Sequence, residues 1–298
     1  MALTDDIRAA AARVAGAARQ VRIREPAIEG YARTLPALTP PAPDLEGADD
    51  ETRAAFSLQL NAINFGSGWF PTLRKRAGMS GFRTVEAGLR ARGPWTAREL
   101  PTIGRDEIAA ALGQDAGHVL MGHFERHLRE MGARVEGEHG GSFLALARAG
   151  EGSAEALAAI LGSWDTWRDV SIYDGEPVPL FKRAQIAAAD LALAGLAPAD
   201  DLARLTLFAD NLVPHVLRID GVLEFDDALV ARIEAGEPLE HDSPEEIEVR
   251  ACALHAVELL VAAHGATTAT AVDYVLWHRG AELRYKSRPR HRAPCTQY

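Results

Sequence analysis

The sequence predicts a mainly α-helical fold, and three observations carry that prediction. Ala- and Leu-rich runs recur at helical spacing along most of the 298 residues. Several runs open on side chains that cap helices: Ser153 ahead of Glu155, Thr268, and "DSPEEIE", with Ser243 at the N-cap, Pro244 at the first helical position and Glu246 at the third. Only "DVSIYDGEPVPLF" reads as strand, with Val170, Ile172 and Val178 flanking the hairpin signal Asp174-Gly175.

In chain order the helical runs are 7–21, 55–63, 118–131, 153–161, 180–196, 201–209, 244–263 and 268–277. Residues 35–51 are proline-rich and then acidic, as suits a loop between an N-terminal helical arm, 1–34, and the main body, 52–298. No composition shift or internal repeat divides the body, so residues 1–298 are expected to form a single compact α-helical unit. The N-terminus has acidic residues where a secretory leader would be basic, and arginines break its alanines, so it reads as a helix. The most apolar stretches, 186–196 and 253–263, are interrupted by Asp190, His255 and Glu258 and fall short of the ~18 uncharged residues a membrane span needs. No membrane partner is expected.

Composition narrows the function classes. A net charge of -10 opposes a surface that tracks a nucleic-acid backbone, because phosphate contact needs clustered cations. A small anionic ligand in a local basic pocket stays compatible with it. The two cysteines, Cys252 and Cys295, form no CxxC pair, which points to a reducing compartment, the cytoplasm, and to a structural thiol at Cys252.

Five constellations have chemical content. His123 and His127 stand four apart on one helical face, a zinc-like spacing, but Phe124 intervenes where a zincin places its glutamate; a metal pair and a solvated or packed helix face are the two readings. Lys182 and Arg183 fall at a helix start after Pro177 and Pro179, where cations oppose the macrodipole unless an anion is bound there or Asp174 or Glu176 pairs with them. Asp210 interrupts "LTLFADNLVPHVL" just before a helix containing Pro214, either as an N-cap or as a partly desolvated carboxylate beside Phe208, suited to stabilising a developing cation. "NAINFGSGWFPTLRKR" combines Gly66 and Gly68 with Asn64, Ser67, Phe65, Trp69 and Phe70, fit to hold a planar ring or to end a helix with core aromatics. The tail "YKSRPRHRAPCTQY" is basic in an acidic protein, and is either docked or loose.

"VPLFKRAQIAAADL", "LTLFADNLVPHVL", "SPEEIEVRACALHAVELL", "VDYVLW" and "HRAPCTQY" together resemble, in order and spacing, the queuosine salvage family of queuosine 5'-phosphate N-glycosylase/hydrolases. "NFGSGWFPTLRK" and "GGSFLALARA" are similar to its bacterial-type members, and the likeness covers roughly residues 55–298. The resemblance implies a compact multi-helix fold like that of helix-hairpin-helix DNA glycosylases, with a small β-hairpin. It implies hydrolysis of queuosine 5'-phosphate to release queuine, with the carboxylate of the "FAD" motif, Asp210, as the catalytic group and Phe208 beside the ligand. The "KRAQI" lysine, Lys182, is expected to meet the 5'-phosphate, with Arg183 next to it. Asn64, Trp69, Asp273, His291 and Tyr298 complete the expected substrate contacts, Trp69 and Phe208 against the base and Asn64 and Asp273 on its edge or aminomethyl group.

This sequence departs from the family pattern at Asn211, where a tyrosine is usual, at Arg290 for a histidine, and at Ala293-Pro294 for Thr-Arg. No cofactor and no metal are expected, and a monomer acting on a small molecule is. The alternatives are a non-catalytic binding protein for a 7-deazapurine nucleotide, a DNA glycosylase, which the acidic balance opposes, and a zinc hydrolase.

Overall fold

The structure is a computed structural model that describes residues 2–45 and 49–298; within the loop expected at 35–51, residues 46–48 lie outside the described residues. The helices, in chain order, are α1 Leu3–Ala17, α2 Glu25–Ala32, α3 Asp50–Ala62, α4 Gly81–Arg92, α5 Arg105–Leu112, α6 Val119–His139 and α7 Phe143–Ala147. They continue as α8 Ala154–Gly162, α9 Lys182–Leu193, α10 Leu212–Ile219, α11 Asp227–Glu234, α12 Pro244–His264, α13 Ala269–Arg279 and α14 Leu283–Lys286. Four short strands accompany them: β1 Val21–Ile23, β2 Val170–Tyr173, β3 Glu176–Pro179 and β4 Leu223–Phe225. The fold is mainly α, as the periodicity predicts.

The residues group into two compact units that the chain visits alternately: Met1–Pro41 with Asp169–Lys182 and Ala203–Pro294, and Ala42–Arg168 with Arg183–Leu202 and Cys295–Tyr298. The first unit is built on α12, which is buried nearly all round through its first four turns and covers Ile247, Val249, Leu254, Val257 and Leu260. Along it lies α1, with Ile7, Ala11 and Val14 fully buried, so the N-terminal helix packs into this core. Burying three such side chains is worth about 1.5–3 kcal/mol for each of the larger two. The second unit centres on α3, whose residues from Ala54 to Ala62 are all buried, packed against α4, α6 and α7.

The expected caps are present: Ser153, Thr268 and Ser243 accept from the backbone N–H of Ala156, Ala271 and Glu246. The carboxylate of Glu246 reaches back to the N–H of Asp242, at 3.3 Å, one residue before the N-cap. The hairpin β2–β3 turns at Asp174 and Gly175, with φ of 51° and 83°, the left-handed pair that a two-residue turn needs. Its register buries Ser171, Tyr173 and Val178 and leaves Ile172 58% exposed.

The helices α2, α4, α5, α7, α11 and α14 lie outside the helical runs read from the sequence, and two segments differ in kind. Residues 201–209 are not a helix: a single 3-10 turn, Leu202–Arg204, gives way to irregular chain over 205–210. Val21, expected at the end of the first helix, opens β1 instead and pairs with Phe225 of β4, a three-residue ladder too short to leave an alternation in the sequence. Among the described residues no single helix is long and apolar enough to cross a membrane.

Candidate active site

The irregular segment 205–210 shapes the candidate site. Leu205, Thr206, Leu207 and Ala209 are fully buried, yet the segment belongs to no sheet, so its peptide groups need other partners. Side chains supply them: Arg250 of α12 donates from Nε to the Ala209 carbonyl at 3.0 Å, and the Phe208 N–H donates to the carboxylate of Asp273 on α13. Asp210 ends the segment half-buried, with Oδ1 accepting from Leu212 N–H at 2.7 Å and Val213 N–H at 3.1 Å. It is therefore the functional cap of α10, one residue before the formal boundary. The capping reading of Asp210 is seen directly, and the cap hydrogen bonds use one oxygen and fix the carboxylate's orientation.

Asp273 is buried, and burial first, then the negative charge of Asp210, raise its pKa well above the carboxylate range; the Phe208 N–H and the charge of Lys182 oppose the shift. The field of a lysine and that of a second carboxylate thus meet at Asp273. Lys182, itself buried, is the first residue of α9. Its N–H donates to Asp169 Oδ2 at 3.0 Å, and the Asp169 carbonyl accepts from Leu180 N–H at 2.9 Å. Between them Phe181 is held at φ 48°, a left-handed conformation that costs about 1–3 kcal/mol in a non-glycine residue. Asp174, one alternative partner for the cations here, pairs with Arg19 at 2.8 Å.

The tail is docked. Asn211, standing where the family pattern has tyrosine, is buried and donates from Nδ2 to the His291 carbonyl at 3.1 Å, while Leu239 N–H reaches the Arg292 carbonyl at 2.8 Å. His291 is buried, which pushes its imidazole down to about 3, with the charge of Arg290 adding to the effect. Arg290 in turn feels the charge of Asp210. Lys286, Arg288, Arg290 and Arg292 line a groove of about 400 Å³ together with Leu212 and His215 of α10, a local positive field in an acidic molecule.

Asp210, Phe208, Lys182, Asp273 and His291 are thus in the first unit. Asn64, Trp69, Arg183 and Tyr298 are in the second. There Arg183 is buried, with Nη1 donating to the Ala62 carbonyl at 2.9 Å, Nη2 to the Thr166 carbonyl, and its guanidinium over the rings of Phe65 and Trp167. This is the geometry of a packing residue. Trp69 stacks on His123, with ring centroids 5.1 Å apart, and His127 is buried against Phe65 at 4.4 Å, its pKa well lowered by burial and by Arg183. His123 and His127 accordingly form a packed helix face. The backbone oxygen of Tyr298 accepts from Gly66 N–H at 2.9 Å, which ties the tail to the glycine loop. Among the described residues, the group of His, Asp and Glu close enough to share a metal ion is His241, Asp242 and Glu246, and the Arg250 guanidinium 3.9 Å from Glu246 opposes a cation there.

Asn64 donates to Asn61 Oδ1 at 3.2 Å, and Asn61 donates to Asp190 at 2.9 Å. Burial raises Asp190 to about 6. A raised carboxylate contributes stability that is complete below its ordinary value and is lost as pH rises through about 6. Asp190→Asn is therefore expected to stabilise at pH 8 and to be neutral near pH 4. The full linkage ceiling is about 3 kcal/mol, and partial solvent contact cuts the expected gain to about 1–2 kcal/mol. Urea denaturation at the two pH values measures it; equal effects at both would refute the assignment.

Residues 47–298 match the family model described as queuosine salvage protein. This chain belongs to the queuosine salvage protein family. Curated relatives carry the name queuosine 5'-phosphate N-glycosylase/hydrolase. The one from Sphaerobacter thermophilus is 35% identical over 96% of this chain and 95% of its own length. That from Bos taurus is 30% identical over 66% of this chain and 64% of its own, and that from Dictyostelium discoideum 33% over 68% and 61%. For this queuosine salvage family member, sequence reasoning missed Asp169 and Arg250. The available signal was Arg250 itself, a lone cation in the otherwise apolar run from Val249 to Leu254 of α12.

Proposed function

We propose that this chain hydrolyses the N-glycosidic bond of queuosine 5'-phosphate, releasing queuine and ribose 5-phosphate. The observation that carries the reading is Asp210: a half-buried carboxylate held by two peptide N–H groups, in the same unit as a buried lysine at a helix start. Membership of the queuosine salvage family supplies the substrate class.

The substrate sets the chemistry. A 7-deazapurine has carbon where a purine's N7 accepts a proton, so that route to leaving-group activation is closed. Cleavage then depends on stabilising the ribosyl oxocarbenium ion, and a fixed carboxylate in a place of low polarity does this with little reorganisation. Asp210 has that role, and it orients the attacking water. The water oxygen bonds to C1', the C1'–N bond breaks with its electron pair passing to the base nitrogen, and that nitrogen ends with a proton from water. Lys182 takes the 5'-phosphate, so binding energy remote from the reacting carbon positions the sugar. Phe208 lies against the ligand. Asp273, whose pKa burial and the charge of Asp210 raise, is the hydrogen-bonding partner for the base edge or its aminomethyl group.

A small-molecule substrate also suits the net charge of -10 and the local basic groove. The reading places a monomer in the cytoplasm, in keeping with two cysteines and no CxxC pair. Cys252 is fully buried and its thiol is pushed up to about 12, as an unreactive core group would be. Incubation with queuosine 5'-phosphate, followed by mass spectrometry, should yield queuine and ribose 5-phosphate in equal amounts. Tight binding with no product would instead favour the non-catalytic binder.

A further inference from the structure

Arg250 is fully buried and forks in three directions: Nη1 to Asp169 Oδ1 at 3.0 Å, Nη2 to Asp169 Oδ2 at 2.7 Å, and Nε to the carbonyl of Ala209 at 3.0 Å. One end of this clamp holds the peptide immediately before Asp210. The other holds the carboxylate that caps Lys182. A buried ion pair is weak evidence of stabilisation, because apolar side chains of similar volume often pack as well. Geometry is what this one adds, since a planar guanidinium fixes two partners at a set separation and an ammonium does not.

We propose that Arg250 is a positioning residue that holds Asp210 and Lys182 at the separation of a nucleotide's anomeric carbon and its 5'-phosphate. The proposal rests on the reading that Asp210 serves the sugar and Lys182 the phosphate. Segment 205–210 has no sheet to set its register, so its placement depends on α12 and α13. The left-handed Phe181 likewise needs the grip of Asp169 to hold the start of α9. With Arg250 shortened to lysine, each group persists while the distance between their roles relaxes, and phosphate binding no longer delivers the sugar to the carboxylate.

A double-mutant cycle on kcat/KM with queuosine 5'-phosphate tests this. Lys182→Ala and Arg250→Lys are each expected to lose about 100-fold, the scale of a 1 Å misplacement. The double variant should lose little more than the worse single one, because Arg250 acts through the anchor that Lys182 provides. A general packing defect would multiply instead, to about 10⁴-fold, and that outcome overturns the proposal. A loss below threefold in Lys182→Ala alone would show that the anchoring role itself is wrong, a failure distinct from additivity. Circular dichroism and thermal melts check that each variant is folded. If Arg250→Lys does not fold, Asp169→Asn, which keeps the shape of the cap and loses the charged fork, replaces it in the same cycle, with the same two outcomes.

Discussion

Asp210→Asn is expected to lower kcat by about 10³–10⁴-fold while the protein stays folded. The amide keeps an oxygen where Oδ1 now accepts from Leu212 and Val213 N–H, so α10 remains capped and stability should change by less than about 1 kcal/mol. What disappears is the negative charge, the one feature that interacts more strongly with an oxocarbenium ion than with the neutral ribose. Single-turnover rates with queuosine 5'-phosphate, read beside the binding constant, separate the two effects, and near-normal turnover would exclude the carboxylate mechanism. A side effect is also expected. With Asp210 neutral, Asp273 loses the second cause of its raised pKa and should titrate closer to an ordinary carboxylate, still displaced by burial.

The largest effect on stability is expected at Glu248, far from this chemistry in its role. Its fully buried carboxylate accepts from the N–H groups of Arg19, Gln20 and Val21, at 3.1, 2.7 and 3.1 Å, and from the Tyr173 hydroxyl at 2.8 Å. One side chain of α12 thereby ties the end of α1, the start of β1 and the hairpin together. Glu248→Ala strands four donors at once, and a loss of about 3–5 kcal/mol is expected, partly offset by water entering the space. Glu248→Gln should be intermediate, because its amide nitrogen turns a donor toward donors. Chemical denaturation measures both; a loss under 1 kcal/mol for the alanine variant would mean these hydrogen bonds are replaced at little cost.

Much of this molecule is legible locally. Ser153, Ser243 and Thr268 could be read as caps because an N-cap involves residues within four positions of each other, and Asp174-Gly175 could be read as a turn because it needs two left-handed residues in succession. Segment 201–209 misleads by the same token. Its apolar residues suit a helix, and nothing in the run reveals that Arg250 and Asp273, from 41 and 65 positions downstream of Ala209 and Phe208, bind its peptide groups instead. Arg183 misleads in the opposite sense: beside Lys182 it looks like half of an anion site, yet two carbonyls and two aromatic rings claim its guanidinium.

By itself, the sequence determined the helical class, the hairpin, the starts of α6, α8, α9, α12 and α13 and the identity of the carboxylate and lysine in the proposed site, because periodicity, capping and motif spacing act over short stretches of chain. Only the tertiary structure decided that 205–210 runs as irregular chain, that Asp273 shares its surroundings with Asp210 and Lys182, and that Arg250 clamps the peptide before one to the cap of the other. Those outcomes depend on which remote groups are desolvated together, and desolvation is a property of the packed molecule that no local run of residues records.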